Sequence, residues 1–411
     1  MKEIANKIKN VTLLDFNKVL VLLALISLIY RKGSLTHSLP NPFEIIFVFL
    51  CIFTFVYLIK TNKIKEFFLA VPKNILVAIF LLVLSVLVGW FFAVTVKDVP
   101  FTRNNVLEFG GFIIGLGIFL LTLFYTQNDE KYFKKYLYAL LLPALYIIFV
   151  LFPELAHYFH LQNDTTFLGL TYNPNIISKT LLIPAMFFIA HTFFESKNKW
   201  LKVAYFFVSS ALVALLFWTS ARAALVAVLL SALIIWLIFS LINFDWKKLF
   251  YSGLILFGIF FVGFFVTPYG HQYDLLHTLF IQENGKMSFN DFNNETRLQF
   301  WPMYLYETIR NPIGFGPNTH MNIPYKYGKH VIGPHNTYIE IWLWGGLLGL
   351  FSFLYILYFI FNNLKKKIKL YFNPAVLALI GILCALLFSM FFNDSLQLYP
   401  FWVILALSIR L

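Results

Sequence analysis

Twelve apolar stretches occupy most of the chain, at about residues 13–30, 43–59, 75–96, 106–125, 137–152, 176–194, 201–219, 223–242, 249–267, 339–361, 373–392 and 396–410. Each is long enough, or nearly so, to cross about 30 Å of hydrocarbon as a helix, the element that satisfies all its backbone N–H and C=O groups internally. The fifth and twelfth are the shortest. With only 12% charged residues against 60% hydrophobic ones and 50 Phe, too little polar sequence remains to wrap a water-soluble core. The prediction is an all-α polytopic membrane protein with about 12 transmembrane helices, forming a single integral membrane domain over 1–411. No internal repeat or linker marks a second domain. The N-terminal run reads as a first span, because Leu28 to Lys32 has no small-residue pair for signal cleavage. Cys51 and Cys384 both lie inside apolar runs, which argues against a disulfide framework and a Cys-based metal site.

The net charge of +13 is distributed in a way that explains it. With both termini in the cytoplasm, 20 of the 32 basic residues fall in short loops or ends on that one side, from Lys2 through Lys60, Lys131, Lys197, Lys247 and the run Lys365 to Lys369, closing at Arg410. This is the positive-inside pattern. The charge reports topology, and no nucleic-acid partner is expected.

One segment outside the cytoplasm breaks the short-loop pattern: about 268–338, between the ninth and tenth spans. It carries His271, His277, His320, His330 and His335, with basic and acidic residues in balance. A long loop of this kind is a place to look for function. Glu295-Thr296-Arg297 after Asn294 reads as a helix start. Leu298, Trp301, Tyr304, Leu305 and Ile309 follow at helical spacing, as in an amphipathic helix at the membrane surface, with Pro302 expected to delay or kink its first turn. Asn311-Pro312 ends it. The glycines of Gly314-Phe315-Gly316 read as turn geometry, since their spacing is not that of a phosphate-binding loop. Pro334-His335-Asn336-Thr337 brings a histidine to the mouth of the tenth span.

Thr219-Ser220-Ala221-Arg222 forms the tight turn between spans seven and eight. An arginine on that side runs against the charge rule. It is either a snorkelling side chain among headgroups or a cation kept for an anionic substrate. Tyr172-Asn173-Pro174-Asn175 and Asn393-Asp394 read, alone, as loop caps or turns. Glu154, His157 and His160 share a helix face but lack a third strong ligand, so no metal site is expected there. Glu108 and Glu340 read as helix-end partners.

Taken together, Arg297-x-x-x-Trp301, Asn311-Pro312-Ile313-Gly314-Phe315-Gly316, His335-Asn336-Thr337-Tyr338 and Gly346-Leu347-Leu348-Gly349 resemble the signature of the O-antigen ligase/polymerase family. Thr219-Ser220-Ala221-Arg222 is similar to that family's Ser-Arg turn with one alanine inserted, and Asn173-Pro174-Asn175 also matches. The resemblance implies a GT-C-type, metal-independent glycosyltransferase without a cofactor, in the bacterial inner membrane, with a periplasmic active site. It further implies an undecaprenyl-diphosphate-linked O-antigen donor and, for a ligase, a lipid A-core acceptor, both met among membrane lipids. Arg222 and Arg297 resemble the diphosphate-contacting arginines, and His335 the catalytic histidine. Asp394 matches an implicated aspartate by position only. Asn336, Asn173 and Asn175 are carried over as supporting or acceptor-side residues.

The chemistry is coherent on its own terms. Two guanidinium groups make charge-assisted, bidentate hydrogen bonds to a diphosphate and stabilise its departure. An imidazole suits removal of a hydroxyl proton near neutral pH. The single large loop with His335-Asn336 at its end favours a ligase. A polymerase is the alternative, and a flippase, which should show buried charges and broken helices at mid-membrane, is the reading from another class.

Overall fold

A computed structural model of the chain describes residues 13–27, 42–97, 99–127, 130–142, 166–167, 170–171, 174–194, 198–219, 221–243, 246–267, 280–283, 286–289, 296–318, 323, 333–370, 372–392, 396 and 398–410. Helices α1 (Leu13–Ser27), α2 (Pro42–Lys60), α3 (Ile64–Leu69), α4 (Lys73–Val96), α5 (Arg103–Tyr125) and α6 (Glu130–Ala139) come first. A small hairpin of β1 (Thr166–Phe167) and β2 (Leu170–Thr171) precedes α7 (Pro174–Phe194), α8 (Lys199–Trp218), α9 (Arg222–Asn243) and α10 (Trp246–Val266). The long loop holds a second antiparallel hairpin, β3 (Phe280–Glu283) with β4 (Lys286–Phe289), and then α11 (Thr296–Arg310). The chain closes with α12 (Thr337–Leu370), α13 (Pro374–Met390) and α14 (Tyr399–Arg410).

Among the described residues, seven helices are long and apolar enough to cross a membrane: α4, α5, α7, α8, α9, α10 and α12. Shorter apolar helices at Ile45–Lys60, Pro374–Met390 and Tyr399–Arg410 accompany them. The chain is a helical polytopic protein, as expected, and the two short hairpins among the described residues are confined to connecting segments. The fifth expected span falls mostly on 143–165, outside the described residues, as do Glu154, His157 and His160.

Contacts fix which helix ends lie together. Phe194 meets Phe239 at 5.3 Å and Phe372 at 4.9 Å, so α7 and α9 finish where α13 begins. Lys199, Lys202, Lys247 and Lys248 start α8 and α10 at this same basic end. At the opposite end, where the long loop emerges, lie the first residues of α7, α9 and α12 and the last of α13. The C-terminus of α4 and the N-terminus of α5 join them there, because Lys97 hydrogen-bonds Asn311 and the Asn105 amide donates to Pro317 O at 2.5 Å. At the basic end, Arg410 satisfies C-terminal carbonyls, donating to Leu123 O at 2.8 Å and Ala70 O at 2.5 Å.

The core sits around α13, α14 and α7. Every residue of α14 from Tyr399 to Ile409 is buried. A helix apolar on all sides belongs inside a bundle. Helix α10 is the opposite case: Phe257, Phe261 and Phe265 recur at four-residue spacing and are exposed, which is a lipid-facing stripe.

Two expected spans are corrected. The twelfth was read as 396–410, but α14 has 12 residues. That amounts to about 18 Å, too short to cross alone. It is reached through Leu396 and Leu398, both buried and non-helical, and the Trp402 indole donates to Leu396 O at 2.8 Å. Irregular backbone at this depth is tolerated because protein surrounds it. The tenth span was read as continuous over 339–361, but α12 is broken at Gly346, whose φ of 61° and ψ of −159° are not helical. The Tyr338 and Phe353 rings lie 6.3 Å apart. Fifteen residues of straight helix would separate those positions by about 22 Å. The chain therefore turns sharply at Gly346, folding 337–345 back against 347–370.

Candidate active site

The break at Gly346 is filled by the segment after α11. Phe315 N–H donates to Leu343 O at 2.6 Å and Gly316 N–H to Trp344 O at 2.9 Å, while Leu347 N–H donates to Pro312 O at 2.9 Å. Carbonyls and amides that a bent helix would orphan are thereby satisfied. Gly314, Phe315, Gly316 and Pro317 are all buried in this plug. Glycine is demanded at Gly346, where a Cβ would strike Pro312 O, and at Gly316 (φ 77°), where it would sit 2.5 Å from Trp90 Cα. Ser85 and Gly89 let α4 come close from the other side: a Cβ on Gly89 would lie 2.5 Å from Trp344 O. The two glycine motifs of the sequence are thus halves of one joint, in agreement with the reading of the first as turn geometry.

Helix α11 begins at Thr296 and contains Pro302 without a break in its assignment. Its Phe300, Tyr304, Glu307 and Thr308 are buried, at the spacing of one helical face, while Tyr306 and Ile309 point outward and Arg310 stacks 4.3 Å over the Tyr306 ring. The Trp301 indole donates to Pro334 O at 2.9 Å, and its ring lies 6.1 Å from Phe392. Helix α11 therefore holds both the residue before His335 and the end of the α13 region.

His335 is half-buried and has φ of 44°, in the left-handed region that few side chains adopt. What holds it there is visible on either side. Pro334 is tied to Trp301. The Asn336 carboxamide oxygen accepts from Tyr338 N–H at 3.0 Å and Ile339 N–H at 3.1 Å, an N-cap for α12. The Tyr338 hydroxyl reaches Leu387 O at 3.2 Å and its ring lies 4.6 Å from Phe391. Asn336, expected among the supporting residues, thus acts on the backbone beside the histidine.

Arg222 is the first residue of α9, preceded by buried Ala221, whose carbonyl accepts from Ala224 N–H at 2.9 Å. Ala221 is therefore the residue from which the chain enters the helix. Asn175 is the second residue of α7 and Arg297 the second of α11. These three backbone positions share the loop end with His335; the side chains of Arg222, Arg297 and Asn175 lie outside the described residues. So do Asn173 and Asp394 altogether, although Phe392, two residues before Asp394, is the ring that meets Trp301.

The N-termini of α7, α9 and α12 all face this end, and each contributes roughly half a positive charge, which favours an anion. Two further cations were not singled out from the sequence. Lys97, at the C-terminus of α4, hydrogen-bonds Asn311 and lies 5.4 Å from the Phe315 ring. Lys179 is only 7% exposed on α7, less than two turns from its start. A lysine inside an apolar span was its available signal. Glu340, as expected, stands in the first turn of α12, where the helix dipole favours an acid.

Residues 206–354 match the family model described as O-antigen ligase. The match runs from α8 through the joint in α12 and contains Arg222, Arg297 and His335; Asn173, Asn175 and Asp394 lie outside it. No curated protein matches the chain.

Proposed function

We propose, from the premise that this chain carries an O-antigen ligase family region at 206–354, that it is a ligase moving polysaccharide from an undecaprenyl-diphosphate carrier to a sugar hydroxyl of lipid A-core. It is a GT-C-type polytopic enzyme in the bacterial inner membrane, with both termini cytoplasmic and the loop end periplasmic. The lysine distribution supports that orientation. The observation that carries the reading is the constrained His335, held in the left-handed region between the Trp301–Pro334 tie and the Asn336 cap at the end where α9 begins with Arg222.

The acceptor hydroxyl oxygen attacks the anomeric carbon in line with the leaving diphosphate. The new glycosidic bond forms as the carbon–oxygen bond to the diphosphate breaks, with inversion, and His335 takes the hydroxyl proton. Arg222 and Arg297 hold the diphosphate and stabilise the charge it gains on departure, the task a divalent cation performs in other glycosyl transfers. Asp394, Asn173 and Asn175 belong to the acceptor side. Asn336 serves by positioning.

The break in α12 is a feature that a lipid-linked sugar flippase would share. One experiment separates the readings: purified protein in detergent, incubated with lipid-linked O-antigen with and without lipid A-core and resolved on a gel. A ligase gives capped core only when core is present. Longer carrier-linked chains without core would make it a polymerase, and no covalent product at all would favour the flippase.

A further inference from the structure

At the basic end, away from the proposed reaction site, the start of α8, the start of α10 and the finishing turns of α7 and α9 enclose a half-open cavity of about 300 Å³. Its apolar wall includes Phe193, Phe194, Phe239 and Ile255, and among the described residues its charged lining is Lys202 and Lys248. Among the described residues neither ammonium has an ion-pair partner. Two uncharged polar side chains line it as well: Ser252, whose hydroxyl donates to Lys248 O at 2.6 Å and accepts from the Trp236 indole at 3.0 Å, and Tyr251, which is 63% exposed to the surroundings. The rest of the interior therefore asks for hydrocarbon.

The mouth can be placed relative to the bilayer. Trp200 and Trp246, in the first turns of α8 and α10, are 84% and 75% exposed. Tryptophans so exposed at the start of apolar helices mark the headgroup level. Lys202 and Lys248 each lie two residues further along, at the depth of a lipid phosphate. A cavity with cations at that level and aromatic walls beneath matches an anionic glycerophospholipid, with phosphate between the lysines and an acyl chain against the phenylalanines.

We propose that this cavity is a binding site for one anionic phospholipid, which seats the α7–α10 helices from the face opposite the reaction site. The proposal is independent of the transferase reading. Native mass spectrometry of the purified full-length protein tests it, using phosphatidylglycerol, phosphatidylcholine and inorganic phosphate as probes. Phosphatidylglycerol should be retained and phosphatidylcholine should not. The double variant Lys202→Gln/Lys248→Gln should weaken retention by about 30-fold, about fivefold per lysine. Ile255→Trp, which fills the slot without touching the charges, should weaken it as well, and its elution and thermal midpoint report folding separately. Equal retention of the two lipids, undiminished binding in both variants, or displacement of phosphatidylglycerol by millimolar inorganic phosphate would each overturn the proposal.

Discussion

Replacing His335 with alanine should lower transfer by about a hundred- to ten-thousandfold, the range for loss of a positioned general base. The protein should still insert and accumulate. Alanine alone is an ambiguous probe, because the residue sits at φ 44°. Histidine is among the residues enriched in that region and alanine is not, so the alanine variant adds some backbone strain to the loss of the imidazole. His335→Asn resolves this, since asparagine tolerates the left-handed region but does not accept a proton at neutral pH. Both variants should show that loss by gel-based transfer, and His335→Asn should keep a near wild-type thermal midpoint by melting in detergent. Full turnover in His335→Asn would remove the histidine as base and leave it a purely structural residue.

Gly346→Ala should be the most damaging single-methyl change in the molecule. At φ 61° and ψ −159° the backbone occupies a region that is essentially glycine's alone. The added carbon would meet Pro312 O and stand 2.5 Å from Ile313 C, so the plug would have to leave the joint. Backbone strain of about 1–3 kcal/mol and overpacking of a similar size add to a large share of a typical stability of about 5–15 kcal/mol. The expected result is a marked fall in thermal midpoint, or failure to accumulate. Activity should be lost with it, because the fold-back of 337–345 places His335. Gly110→Ala is the matched control: a Cβ there meets nothing within 4 Å on α5, and alanine should be neutral or favourable by about 0.5–1 kcal/mol.

The contrast between those two glycines shows what a single sequence makes legible. Apolar runs gave most helices within a few residues, since lipid leaves the backbone one local solution. Helix α11 was legible as an element, and so was the turn carrying Arg222, but the buried face of α11 is Phe300, Tyr304, Glu307 and Thr308, sharing only Tyr304 with the expected apolar spacing and leaving Ile309 exposed. The joint at Gly346 was not, because it depends on hydrogen bonds between segments thirty residues apart. The Gly345-Gly346 doublet was its only local sign. The short α14 had a sign too: Pro400 sits at a helix start, where its missing N–H costs nothing. Composition cannot tell buried irregular backbone from helix, so Leu396 and Leu398 were read as part of a span. Within the site, residue types pointed to His335, Arg222 and Arg297. That Asn336 acts as a cap, that Trp301 holds Pro334, and that Lys97 and Lys179 stand at the same end needed coordinates.

The account depends most on where the diphosphate binds. A cryo-electron microscopy structure of the protein with undecaprenyl diphosphate should show its phosphates at the loop end, within hydrogen-bonding reach of both Arg222 and Arg297, and with His335 facing the space beside them. Diphosphate density elsewhere in the molecule, or held with both arginines turned away from it, would contradict the mechanism.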